Sequence, residues 1–266
     1  MKKNVLTIRE YLRPQTLEEA YALCQKKSNV VLGGMLWLRM QNGQVGTAID
    51  LCDLGLDTIE KTPDNYVIGA MVTLRQLEQH PGLAALTQGA IAEALKSIVG
   101  VQFRNLATVG GSLYGRFGFS DVLTLFLALD ARVELHHAGV MPLAQFAELP
   151  RQQRDILVRV YLPRAPRRVV YLSQRNTATD FPVLTCAVSR AAGETLCVIG
   201  ARPMRAVALI DESGLLKEGI NEVSAAAFAR DIAARVPLAG NLRAGEEYRR
   251  RVCEVLVRRA LAGMED

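Results

Sequence analysis

The sequence predicts an α/β protein, and three observations carry that reading. Short apolar β runs alternate with amphipathic helical stretches from the start to about residue 165; an antiparallel meander follows; helical patterns then close the chain. Residues 1 to about 56 open with a short strand. A helix in "RPQTLEEAYALCQKK" comes next, where Thr16 is placed to cap, Glu19 to reach back, and Leu17, Ala20, Tyr21 and Cys24 to line one face. "NVVLGG" reads as a buried strand, "LWLRMQNGQVG" as a loop and "TAIDL" as another buried strand, so the start is β-α-β-loop-β.

The alternation then repeats. "DNYVIGAMVT" reads as a strand pair, "TLRQLEQHPGLAALTQGAIAEAL" as helices, the stretch to Leu129 as a further helix and "RVELHH" as a strand. From about 168, "VVYLSQRNTATDFPVLTCAVSRAAGETLCVIGARPMRAVALID" reads as three strands of an antiparallel meander, with "AGE" at its second turn. "EVSAAAFARDIAARV" and "EEYRRRVCEVLVRRALAG" are the closing helices. No internal repeat or low-complexity linker interrupts the chain, so its parts are expected to pack as one unit.

Composition bounds the function. With 266 residues, half of them hydrophobic, the chain is long enough to bury one large core or two to three smaller ones. Its longest apolar runs, such as Val122–Leu129, fall well short of the roughly 20 residues of a spanning helix. The first residues lack a signal peptide's apolar segment, so a cytoplasmic location without membrane association is expected. Five scattered cysteines (Cys24, Cys52, Cys186, Cys197 and Cys253) form no CxxC pair and have no histidine at ligand spacing, which argues against disulfides, zinc or a cysteine-bound cluster. The net charge of +5 comes largely from Arg164, Arg167, Arg168 and arginines of the last helix. Without interleaved aromatics these read as solvated faces or partner surfaces and not as a nucleic-acid site.

Two glycine pairs carry the chemistry. "VVLGGM" (Val30–Met35) and "TVGGSL" (Thr108–Leu113) each read as an apolar β run ending in Gly-Gly. Such pairs permit positive φ and remove the Cβ atoms that keep a ligand from the backbone, so successive amides can converge on an anion. A plain turn is the competing reading for each. Neither matches G-x-G-x-x-G or G-x-x-x-x-G-K-[ST], which disfavours Rossmann and P-loop architectures.

"VQFRNLATVGGSLYGRFGFSDVLTLFLALDARVEL" resembles the segment "Q-x-R-N-x-A-T-x-G-G-N … S-D … ALDA" in FAD subunits of the xanthine dehydrogenase and carbon monoxide dehydrogenase family of molybdenum hydroxylases. Gln102, Arg104, Asn105, Ala107, Thr108, Gly110, Gly111, Ser120 and Asp121 match, with the family's spacing to Asp121. "YLRPQTLEEAYAL", "VVLGGMLWL", "IGARPMRA" and "GEEYRRRVCEVLVRRAL" resemble further family signatures in the same order, so the likeness covers essentially the whole chain.

This resemblance implies a two-lobed FAD-binding domain of the p-cresol methylhydroxylase type over 1–166, with lobes of about 1–56 and 57–166. A smaller C-terminal domain with a three-stranded antiparallel sheet and helices would occupy 167–266. FAD would lie between the lobes. Leu32, Gly33, Gly34, Met35, Leu36 and Trp37, with Thr108, Val109, Gly110, Gly111 and Ser112, would wrap its pyrophosphate and ribityl regions. Ile98 and Leu157 would pack near the flavin, and Asp121 would accept hydrogen bonds from the cofactor. Asp121 also reads as half of a Ser-Asp helix cap, Trp37 as a core residue, and Arg116 as a contact to phosphate or to a partner subunit's carboxylate, or as an exposed loop arginine.

The chain departs from the family where Ser112 replaces the usual Asn, where Met35 replaces a common Thr, and near Leu172, where relatives of the xanthine dehydrogenase type carry a Lys. His80, His136 and His137 are not placed to act as a base or flavin attachment, and no catalytic side chain is assigned, because flavin supplies the redox chemistry. The implied function is an FAD-carrying subunit that takes electrons from a [2Fe–2S] subunit, fed by a molybdenum-cofactor subunit, and passes them to NAD+ or another acceptor. A stand-alone NAD(P)H flavin reductase and a non-catalytic assembly module are the alternatives.

Overall fold

The computed structural model describes residues 5–150 and 152–264. Their backbone contacts group into two compact units. The first combines the described residues of 5–76, 101–115 and 132–162; the second combines those of 77–100, 116–131 and 163–264.

The first unit holds two sheets. Strand Leu6–Leu12 pairs in parallel with Gly43–Asp50, which pairs in parallel with Val30–Leu32, so the longest strand is central. That strand begins four residues earlier than "TAIDL", within the segment read as a loop. Parallel strands need a crossover, and helix Leu17–Cys24 supplies it. Thr16 Oγ1 accepts from the Glu19 amide at 3.1 Å, as a cap should. Glu19 Oε2 reaches one residue past the cap and accepts from the Gln15 amide at 2.9 Å. Ala20, Cys24, Ile49 and Leu51 pack with Leu56, Ile156 and Val158 as the core here.

The other sheet of this unit has five strands, in the order Ile59–Lys61, Asn65–Gly69, Leu157–Pro163, Arg132–Leu135 and Gly139–Pro142. The expected strand pair is thus a hairpin whose first member lies upstream of "DNYVIGAMVT", with Ile59 opposite Ile68.

In the second unit an antiparallel sheet runs Val207–Ile210, Glu194–Gly200, Leu184–Ala191, Arg168–Gln174. The three expected strands are present, with the Ala192-Gly193 turn between the second and third, and Val207–Ile210 adds a fourth. Helices Glu222–Arg235 and Glu246–Ala262 bury Phe228, Ile232, Cys253 and Val257 against Cys186, Val188, Cys197 and Ile199 of the sheet. Helix Asp121–Ala128 belongs to this unit and is buried along its whole length, which explains its uninterrupted apolar sequence. No helix of the described residues is long and apolar enough to cross a membrane.

Candidate functional site

The two glycine pairs meet within the first unit, but they do so differently. Strand Val30–Leu32 ends at Gly33, and the chain turns through Gly34 (φ +84°) and Met35 (φ +61°), both left-handed. That conformation costs a non-glycine residue roughly 1–2 kcal/mol, so Met35 is a strained position beside a glycine that needs its freedom. A Cβ on Gly34 would lie 1.9 Å from the Leu106 carbonyl oxygen, and one on Gly33 would lie 3.0 Å from Thr108 Oγ1 and 3.1 Å from Gly111 Cα. Among the described residues, no protein acceptor takes the amides of Gly34, Met35 or Leu36. Three successive uncommitted N–H groups on a strained turn are a backbone site for anionic oxygens.

The second pair lies in a helix and not in an open loop. Thr108 makes an isolated bridge to Thr73, then caps the helix Val109–Tyr114 by accepting from the Gly111 amide at 3.1 Å. The amides of Val109 and Gly110 donate to Val72 and Ala70 carbonyls, each at 2.8 Å, and that of Ser112 donates to the Thr108 carbonyl at 3.0 Å. All four amides from Val109 to Ser112 are therefore engaged within the protein. The Ser112 hydroxyl is also turned inward, donating to the Thr108 carbonyl at 2.8 Å. These glycines serve close approach: a Cβ on Gly110 would meet the Ala70 carbonyl oxygen at 2.7 Å, and one on Gly111 the Gly33 carbonyl oxygen at 3.0 Å. One pair offers donors while the other gives it room.

Other first-unit candidates flank this cradle or lie in the sheet. Trp37 is half-buried, its ring edge-on to Phe103 at 5.8 Å between centroids. Leu32 and Leu36 are buried, and Leu157 is a buried residue at the start of its strand, opposite Leu135.

Ile98 and Asp121 belong to the second unit. Ile98 is half-buried and follows helix Ala90–Lys96; next to it Val99 has φ +51°, a costly conformation for a β-branched side chain. Ser120 is the helix cap, accepting from the Leu123 amide at 3.1 Å, and Asp121 occupies the first turn. The buried Asp121 Oδ1 accepts hydrogen bonds from the Tyr171 hydroxyl and from Arg175 Nη2. Burial pushes the Asp121 carboxyl up to about 6, outweighing the opposing effects of Arg175 and Tyr171. Burial, reinforced by the Asp121 charge, holds the Tyr171 phenol well above its ordinary value, so Tyr171 remains a donor. Arg116 is buried, 2% exposed, which corrects the exposed-loop alternative.

Sequence reasoning missed Tyr171 and Arg175 as partners of Asp121, and Leu106 and Ala70 as the backbone walls of the glycines. A strand register was the available signal for the first pair, since Val169, Tyr171 and Ser173 share one face of Arg168–Gln174. The backbone walls leave no local trace.

Comparison with known proteins identifies the family. Residues 6–165 match the model of the FAD binding domain in molybdopterin dehydrogenase. Aldehyde oxidase 2 of Cavia porcellus is 30% identical over 128 residues, covering 42% of this chain and 10% of that much longer protein. The xanthine dehydrogenase FAD-binding subunit of Escherichia coli O157:H7 is 28% identical over 198 residues, 66% of each chain. Among solved structures, a chain of carbon monoxide dehydrogenase from Hydrogenophaga pseudoflava superposes with a TM-score of 0.83 over 95% of this chain and 96% of that one. At 24% identity this last likeness speaks for the fold. The chain therefore belongs to the family of FAD-binding domains of molybdopterin dehydrogenases, oxidoreductase subunits whose cofactor is FAD.

Proposed function

We propose that this chain is the FAD-carrying electron-transfer subunit of a molybdenum hydroxylase complex. It would work in the cytoplasm beside a [2Fe–2S] subunit and a molybdenum-cofactor subunit, with NAD+ or another acceptor taking the electrons. The observation that carries the reading is the set of uncommitted amides at Gly34, Met35 and Leu36, opposed by the Cβ-free surface of Gly111.

These residues fit a dinucleotide. A pyrophosphate is a pair of adjacent anions, and backbone N–H groups bind it without burying a cation. Gly33, Gly34, Met35 and Leu36 would hold that group, while Thr108, Val109, Gly110, Gly111 and Ser112 would keep the facing helix close and rigid. Trp37 and Leu157 would supply apolar surface to the ring system. When bound, FAD supplies the redox chemistry; the protein's task is to fix its position and exclude water from it. Support for partner subunits comes from the name of the E. coli relative, itself an FAD-binding subunit, and from the molybdenum cofactor named for the carbon monoxide dehydrogenase.

The test is purification of the native complex with metal and flavin analysis, together with FAD titration of the chain alone. The expected result is one FAD per chain and co-purifying molybdenum and iron. Absence of FAD uptake on reconstitution overturns the reading. Rapid oxidation of NADH by the isolated chain would replace it with a stand-alone reductase.

A further inference from the structure

Arg249 lies near the start of the helix Glu246–Ala262 and is 0% exposed. A guanidinium removed from water needs full hydrogen bonding and a nearby negative charge, because desolvation disfavours the cation. Arg249 meets only part of that condition. Its Nη1 donates to the carbonyls of Val183 and Ala201, and its Nη2 to Asn241 Oδ1 at 2.6 Å. Every one of these acceptors is neutral. Its Nε is buried and has no partner, and no carboxylate pairs with it among the described residues.

A second cation on the same turn makes the imbalance greater. Asn241 Oδ1 also accepts from the Arg243 amide at 2.9 Å, so the same turn carries both arginines. Arg243 lies over the Phe181 ring, 4.8 Å from its centroid, and its Nη2 is 3.5 Å from Asp180. Its Nε, too, is buried without a partner, although the side chain as a whole is 35% exposed. Burial and the charge of Arg243 both lower the proton affinity of Arg249. Asp180 thus faces the partly exposed cation, and the fully buried one has no carboxylate partner among the described residues.

We propose that the turn Asn241–Gly245, with Arg243 and Arg249, is a binding site for a small oxyanion, a phosphate group either free or carried on a nucleotide. Phosphate suits it because a guanidinium presents planar N–H donors to oxygen pairs and the ligand supplies the missing negative charge. Arg243, being partly exposed, marks the entry. The site lies wholly within the second unit and is independent of the flavin assignment.

Calorimetric titration of the FAD-loaded protein with inorganic phosphate, at constant ionic strength set with chloride, tests it. Saturable binding with a rise in melting temperature is expected, weakened at least tenfold in Arg243→Gln while FAD content is unchanged. A parallel titration with adenosine 5′-monophosphate separates the sources: tenfold tighter binding identifies a nucleotide phosphate, and equal affinity a free anion. A wild-type response to phosphate no larger than to chloride overturns the proposal, as does undiminished binding by folded Arg243→Gln.

Discussion

Replacing Gly34 by alanine places the whole reading of the cradle at risk. The new Cβ would lie 1.9 Å from the Leu106 carbonyl oxygen and 2.8 Å from its carbonyl carbon, so the backbone there must retreat by roughly an ångström or more. Retreat is resisted by the next residue: the Ala107 amide donates to Phe103 and its carbonyl accepts from the Leu74 amide, at 2.8 and 2.7 Å. To this steric term, about 1–3 kcal/mol for overpacking, is added about 1 kcal/mol or more for an alanine at φ +84°. The sum is a loss of about 3 kcal/mol. Gly55 isolates the conformational part, since it has φ +63° and nothing within 4 Å of an added Cβ. Gly55→Ala should cost about 1 kcal/mol. Urea unfolding of the FAD-free variants measures both numbers, and FAD titration under native conditions measures the consequence. Gly34→Ala is expected to weaken FAD binding at least tenfold, with Gly55→Ala within twofold of wild type. Equal stability losses for the two variants, or unchanged FAD affinity in folded Gly34→Ala, would refute the reasoning.

Three further outcomes follow from the second unit and the thiols. Because the Asp121 carboxyl titrates near 6 in the folded protein against an ordinary 3.8, its contribution to stability is complete below the lower value and is lost as pH rises through the upper one. Asp121→Asn should therefore flatten the stability profile between pH 4 and 6, where wild type loses on the order of 3 kcal/mol from this group; parallel profiles for the two proteins would contradict it. Tyr171→Phe removes a donor that stabilises the ionised carboxylate, so Asp121 should titrate higher still by NMR and the protein should lose about 1–3 kcal/mol at pH 7; an unmoved titration would rule out the contact. Cys24, Cys186, Cys197 and Cys253 are buried and Cys52 is exposed, so a thiol reagent should label Cys52 alone in the native state, slowly because its thiol is raised by slight desolvation and by the neighbouring Asp50 carboxylate. Fast labelling at a second position would show the core packing to be wrong.

Much of the local structure was legible because its causes are local. The caps at Thr16 and Ser120 depend on residues three positions away, and the structure has both. The strand Val207–Ile210 was hidden by its brevity and by the Pro203 turn before it, and Ile59–Lys61 by two charged residues in a run of three. The glycine pairs show where such reading stops. Val30–Met35 and Thr108–Leu113 look alike as strings, yet one forms a left-handed turn with free amides and the other the first turn of a helix. What separates them is the supply of acceptors: the Ala70 and Val72 carbonyls, some forty residues from Gly110 and Val109, take the amides of the second pair.

By itself the sequence determined the alternating α/β organisation, the meander, the closing helices and, through the spacing of "RNLATVGG" and "SD", the FAD family. These depend on hydrophobic period, caps and motif order, which are properties of neighbouring residues. Only the tertiary structure decided which glycine pair offers its amides, that Asp121 is met by Tyr171 and Arg175, and that Arg249 is buried without a counter-charge. Those outcomes depend on which distant backbone and side-chain groups arrive within hydrogen-bond distance, and chain order alone does not specify that arrangement.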